Sequence, residues 1–433
     1  MPEHSSTELF WAPCLPFSGP ATWREILRQP HQPFTVVAAG ICAGKAAVYA
    51  EVGSGTKLTM SRWNRAERKL RAVTAYLTWA GALGMALTGV TQASEPAETQ
   101  GLPLEESASI RYALAVPGVD MGAHINALYR SLPASGGVIV VKQSAAFATP
   151  IVFGTNDKPV LLTGLPADMV TLTYTGLAGT ALTFDYGTHH RMGHGMRDLT
   201  LTGPGNSTDT TGVVFGGENG AEGIDFRDFK IQGFGANLKM GSHTWLAYFQ
   251  HGMVRDGGIN LLLVCGLVEA GEQIVFNHVT FADAPAPHSN SVWVQGGGQE
   301  VIFTDCSFDQ AQLRIGNGAV SAAQIVVKGS HFENSNHAWP GSVNYDYVVV
   351  DNNPGNYLRL TDSYFLQGAP TNGPTQFLSA WGGKIWMCGI GMYTPAGSPM
   401  KYFAVLWNSA TVDMYGFYDL SGNISGQPWG PGK

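Results

Sequence analysis

FNHVTF (276–281), FTDCSF (303–308), VKGSHF (327–332) and LTDSYF (360–365) share one frame. The frame extends back through FQHGMV (249–254), FRDFKI (226–231) and MRDLTL (196–201), and forward through MCGIGM (387–392) and MYGFYD (414–419). Successive starting residues stand 30, 23, 27, 27, 24, 33, 27 and 27 positions apart. Position 1 is apolar in all nine segments, position 3 is Asp, His or Gly, and position 6 is apolar in all but the last. A period of this length marks a solenoid, in which one unit cannot bury its apolar face alone and does so against its neighbours. Each unit also reads as three short strands. In one of them these are SVWVQG (291–296), EVIF (300–303) and CSF (306–308), with QLRIG (312–316) opening the next coil. Three strands in roughly 27 residues describe the triangular coil of a parallel β-helix, so the chain is all-β over 120–433.

Composition agrees. Glycine supplies 55 of 433 residues, against a usual ~7%, and only 13% of residues are charged. Corners need residues that accept positive φ, and Asp198, Asp228, Asp305 and Asp362, with Gly329, Gly389 and Gly416, stand at position 3, where Asp and Gly both tolerate that conformation. These aspartates are read as structural. A net charge of −7 argues against nucleic acid as a partner, which requires a basic footprint. The five cysteines form no CxxC pair, so neither a zinc site nor a dense disulfide framework is expected.

Met60 opens a second kind of pattern. Arg62, Arg65, Arg68, Lys69 and Arg71 crowd together, and no charge follows from Ala72 to Ser94. A basic segment, an apolar run and the small residues ending at Ala93 describe a secretory signal peptide over 60–93. Residues 1–59 would then be an upstream extension and 94–119 a linker. An uncleaved membrane anchor or a buried helix are the competing readings of the same run. Residues 1–93 carry nine basic and five acidic side chains, leaving 16 against 27 in the remainder. An acidic secreted protein with no stable membrane insertion after cleavage is the expectation.

Asp120 can cap a short helix with Ile125, Leu128, Tyr129 and Leu132 on one face. Gly136-Gly137 ends it, VIVV (138–141) starts the strands, and Thr149-Pro150-Ile151 precedes the first coils. This opening resembles that of the pectate-lyase-like right-handed parallel β-helices, a group of polysaccharide lyases, β-helical glycoside hydrolases and phage tailspike depolymerases. The resemblance covers roughly 120–420. It implies a single-stranded right-handed solenoid with an N-terminal capping helix and a polysaccharide partner, as a monomer or a homotrimer. One departure is that Lys142-Gln-Ser-Ala-Ala-Phe147 stands where the group has Pro-x-Gly-x-Tyr. No catalytic signature of a subfamily is present, so no family residue carries over.

Parallel coils stack about 4.8 Å apart, which turns alignment into distance. Asp283, Asp309 and Glu333 follow position 6 in consecutive coils. Paired carboxylates at such spacings suit glycosidic hydrolysis, one as acid and one as nucleophile or base. Stacked like charges also raise the proton affinity of one member, as an acid requires. The alternatives are a solvated corner or a calcium site, with no other cofactor expected. Long corner loops add His288, His337 and Trp339 as candidate substrate contacts, with Trp293 and Arg314 on adjoining strands. Three functions remain open on these residues: hydrolysis, β-elimination on a uronate polymer, and carbohydrate binding or adhesion without chemistry.

Two further groups read as structural. His189, His190, Arg191, His194 and Arg197 fit a polar insertion, and Glu222, Glu272 and Glu300 fit a side-chain ladder that caps strands.

Overall fold

The computed structural model describes residues 109–431, apart from loop segments at 155–157, 167–169, 187–192, 218–219, 242, 265–271, 284–290, 297–299, 319, 335–345, 368–375, 395–401 and 422–428. It also describes the strands Thr35–Cys42 and Lys45–Glu51. Two compact units result, Met1–Leu102 and Pro103–Lys433. In the first, the two strands pair antiparallel. The segment expected to be a signal peptide, 60–93, lies outside the described residues. Among the described residues, no helix is long and apolar enough to cross a membrane.

The second unit is a parallel β-helix. One coil lays down Glu300–Thr304, Ser307–Asp309 and Leu313–Ile315. These pair in parallel with Gln324–Lys328, His331–Asn334 and Val348–Val350 of the next coil. The repeat frame is the structural register: Phe249 lies beside Phe276, Phe276 beside Phe303, and Phe303 beside Val327. Leu360, Met387 and Met414 continue the file. The third strands of the coils form an 11-stranded sheet among the described residues.

Alternation along each strand sends positions 1 and 6 inward, and the phenylalanines there stack. Phe276 and Phe303 have ring centroids 5.2 Å apart, and Phe308 and Phe332, like Phe332 and Phe365, 4.5 Å apart with nearly parallel planes. Position 3 is the corner between first and second strands. There Asp198, Asp228, His251, His278, Asp305, Gly329, Asp362, Gly389 and Gly416 all have φ between 49° and 68°. At Gly329 a Cβ would also stand 2.3 Å from Asp305 Oδ1 of the coil below, so any other residue here would have to displace that side chain.

The helix Met121–Ser131 begins where expected, with the Asp120 side chain accepting from Ala123 N at 2.9 Å. Ile125, Tyr129 and Leu132 are buried, and Tyr129 meets Phe153 edge-on at 5.0 Å. The solenoid starts earlier than the linker reading of 94–119 allowed: Ile110–Ala113 pairs in parallel with Gly137–Val141. Ile139 and Leu162 extend the position-1 file below Met196. The sequence hides this because these first coils lack the hexapeptide spacing.

A buried amide ladder lies at the start of the third strands. Asn237 Nδ2 donates to Asn260 Oδ1 at 2.8 Å, and Asn260 Nδ2 donates to Ala282 O and Ser291 Oγ at 2.8 and 2.9 Å. It holds the corner that follows the second strand, which is the corner carrying the candidate carboxylates.

Candidate active site

On the second strand, positions 5 and 7 face outward. Position 5 forms the file Thr280, Ser307, His331, Tyr364, and position 7 the file Arg255, Ala282, Asp309, Glu333, Leu366. Asp309 and Glu333 are thus neighbours on adjacent coils. Ser307 Oγ donates to Asp309 Oδ1 at 2.5 Å and lies 3.1 Å from His331 Nδ1. His331 Nε2 is 3.0 Å from Glu333 Oε2. A chain of polar contacts therefore runs Asp309–Ser307–His331–Glu333. Asp309, His331 and Glu333 each bring one ligand atom within 4.8 Å of the others. Burial, followed by the charges of Tyr393 and Glu333, pushes the Tyr364 hydroxyl above its usual range. It therefore stays a neutral donor beside the cluster.

Asp283 does not join this file. Ala282 is the residue opposite Asp309, and Asp283 stands one place further on with φ 50°. Asp256 and Gln310 repeat that positive φ in neighbouring coils, at 54° and 53°. The turn directs the Asp283 carboxylate to Arg255, whose Nη2 is 2.7 Å from its Oδ2, while Arg255 Nε bonds Asp256 Oδ2 at 2.7 Å. Asp283 belongs to an ion-pair cluster beside the site.

Trp293 and Arg314 come together with each other. The guanidinium lies 4.8 Å from the indole centroid, and Trp293 Nε1 donates to Gly316 O at 2.8 Å. Arg314 also reaches both oxygens of Asp351, at 3.1 and 3.0 Å from Nε. Their polar atoms are engaged within the protein. His288, His337 and Trp339 lie outside the described residues, as do His189, His190 and Arg191. His194 is buried against Tyr186, and Arg197 pairs with Asp225 at 2.8 Å. Glu222 and Glu300 do not share one column: Ile224, Ala247, Ile274 and Val301 form one file, and Glu222 stands two residues before it whereas Glu300 stands one.

Sequence reasoning missed His331 and Ser307, although both sit at position 5 of the repeat, where a polar residue faces out. It also missed Asp346, which opens the third strand in the coil of Glu333. Burial pushes the Asp346 carboxyl up to about 6, and side-chain hydrogen bonds from Ser379 and Gln376 offset this only in part. The folded chain keeps that proton up to about pH 6, whereas the unfolded chain releases it near 3.8, so stability falls as pH rises across that window. Asp346→Asn, neutral throughout, is expected to remove this decline in urea midpoints measured from acid to neutral pH. An unchanged pH slope would show that the carboxyl titrates alike in both states.

No family model matches the chain, and no curated protein does. Among solved structures, the enzymatically active domain of tailspike protein 4 of bacteriophage CBA120 is similar at TM-score 0.52 and 17% identity, over 70% of this chain and 43% of that one. ORF18 of Geobacillus virus E2 is similar at TM-score 0.46 and 13% identity, over 76% and 58%. An alginate lyase of Paenibacillus sp. str. FPU-7 follows at TM-score 0.44 and 11% identity, over 72% and 97%. The chain spans less than two thirds of the length of the first two. The likeness to the tailspike domain is one of fold, the parallel β-helix.

Proposed function

We propose that this protein cleaves a polysaccharide by hydrolysis, at the corner carrying Asp309 and Glu333, and does so outside the cell after loss of residues 60–93. The reading is carried by one observation: two carboxylates on adjacent coils, joined through Ser307 and His331, with ligand atoms within 4.8 Å. An approach of one oxygen from each carboxylate to within 4.8 Å accords with the ~5 Å of glycosidases that retain anomeric configuration better than with the ~6.5–9.5 Å that admits a water between the groups. One carboxyl protonates the leaving oxygen while the other attacks the sugar carbon to form a glycosyl ester, and the first, now a carboxylate, then takes a proton from the water that displaces the sugar from that ester. His331 and Ser307 fix both side chains. Asp283 holds Arg255 at the rim, and Trp293 with Arg314 forms a rigid wall on the adjoining face. The imidazole in the cluster is a poor match for calcium, which takes oxygen ligands, so no step runs through that ion. The similarity of the fold to a phage tailspike domain agrees with a glycan substrate.

His331 also favours a second reading, β-elimination, in which an imidazole removes the proton α to a uronate carboxyl. Incubation with a polysaccharide panel separates the two. New reducing ends with a retained anomer and no unsaturated-uronate absorbance are expected. The appearance of that absorbance would establish elimination, and no products at all would leave a binding or adhesion module.

A further inference from the structure

The outward face of the first strands, across the position-3 corner from the carboxylate pair, carries a groove of about 500 Å³. Glu272, Gln273, Glu300, Gln324, Val326, Tyr357 and Arg359 line it. These residues recur because the coils register: Glu300, Gln324 and Tyr357 form one file, and Val326, Arg359 and Trp386 the next. Hydrogen-bonding groups therefore repeat at about 4.8 Å along the axis of the solenoid.

The side chains are available. Among the described residues, the polar groups of Glu300, Gln324 and Tyr357 make no side-chain hydrogen bond, and Arg359 has no carboxylate partner. The guanidinium of Arg359 instead lies over the Trp386 ring, 4.8 Å from its centroid, and Trp386 continues to Tyr415 at 6.3 Å. At the other end, Gln273 Oε1 accepts from the Tyr248 hydroxyl at 3.1 Å.

Three features select the occupant. Carboxylate, amide and phenol in one file alternate acceptors and donors, as a row of hydroxyls demands. The Arg359–Trp386 stack offers a flat, amphipathic surface to a ring. Carboxylates in the groove and the net charge of −7 disfavour a polyanion. We propose that this groove binds a neutral oligosaccharide lying along the coil axis. Glu300, Gln324 and Tyr357 hold its successive hydroxyls, and the Arg359–Trp386 platform holds one ring. The site is separate from the carboxylate corner, and its occupancy does not depend on the hydrolytic reading.

Calorimetric titration of the full chain with maltopentaose, cellopentaose and laminaripentaose, and with an alginate hexamer as the anionic probe, tests this. At least one neutral pentasaccharide is expected to bind. Arg359→Ala and Gln324→Ala, both at exposed positions, should each weaken it tenfold or more without shifting the melting temperature. Glu333→Gln should leave its Kd unchanged. Three results would overturn the proposal: no binding by any neutral probe, tighter binding of the alginate hexamer, or affinity that survives both groove variants and falls with Glu333→Gln. Loss of cleavage in Asp309→Asn with groove affinity intact keeps the two sites distinct.

Discussion

Asp309→Asn is expected to lower polysaccharide turnover by at least about 100-fold, the usual worth of a positioned acid or base. The substitution keeps the shape of the side chain and its capacity to accept from Ser307 Oγ, so the 2.5 Å contact has a substitute. Only the ionisable oxygen is lost. Asp309 is partly exposed on the outer face of its strand, and surface changes of this kind move stability by about 0.5 kcal/mol or less. Activity and melting temperature should therefore separate. Glu333→Gln should behave alike, and the double variant should cost little more than either single one, because groups acting as a unit are not additive. Turnover unchanged in both single variants would remove this corner from the mechanism.

Phe308→Ala should have the largest effect on stability, about 3–5 kcal/mol. The ring is fully buried, stacked on Phe332 at 4.5 Å and on Phe281 at 5.5 Å, and it meets Phe303 edge-on at 5.4 Å. Removing it opens a void between three coils that the stacked rings cannot close without leaving register. Urea unfolding of the variant measures the loss. Since each coil of a solenoid is held by its immediate neighbours, the variant should also lose protection from amide exchange first at 276–333. A loss below about 1 kcal/mol would mean that the column relaxes into the gap. Phe308 also stands directly before Asp309, so activity in this variant should fall with folding and recover with it at lower temperature.

The repeat frame was legible because burial imposes it. Position 1 and position 6 point into a continuous core, which selects apolar residues, and position 3 adopts positive φ, which favours Asp, His and Gly. Both constraints act on every coil and leave a periodic trace. Ile110–Ala113 is hidden in the sequence because it pairs with Gly137–Val141 without the hexapeptide spacing. The Asn237–Asn260 ladder escaped notice although each Asn follows a small or branched residue after glycine, in GAN (235–237) and GIN (258–260), because two coils are too few to show a period.

The candidate site was only half legible. The frame places Asp283, Asp309 and Glu333 on consecutive coils with Asp283 next to Asp309, whereas Asp309 lies beside Glu333 and Ala282, because a count of residues past position 6 cannot detect a positive-φ residue that turns a side chain aside. Trp293 and Arg314 looked available to a ligand until their mutual stacking and the Asp351 contacts were visible. By itself, the order of residues determined the coil, its three strands and which side chains form vertical files, since these follow from periodic burial. Only the tertiary structure decided which carboxylates face each other and which are held by arginine, because that depends on a single residue of offset and on the direction a corner gives to each Cβ.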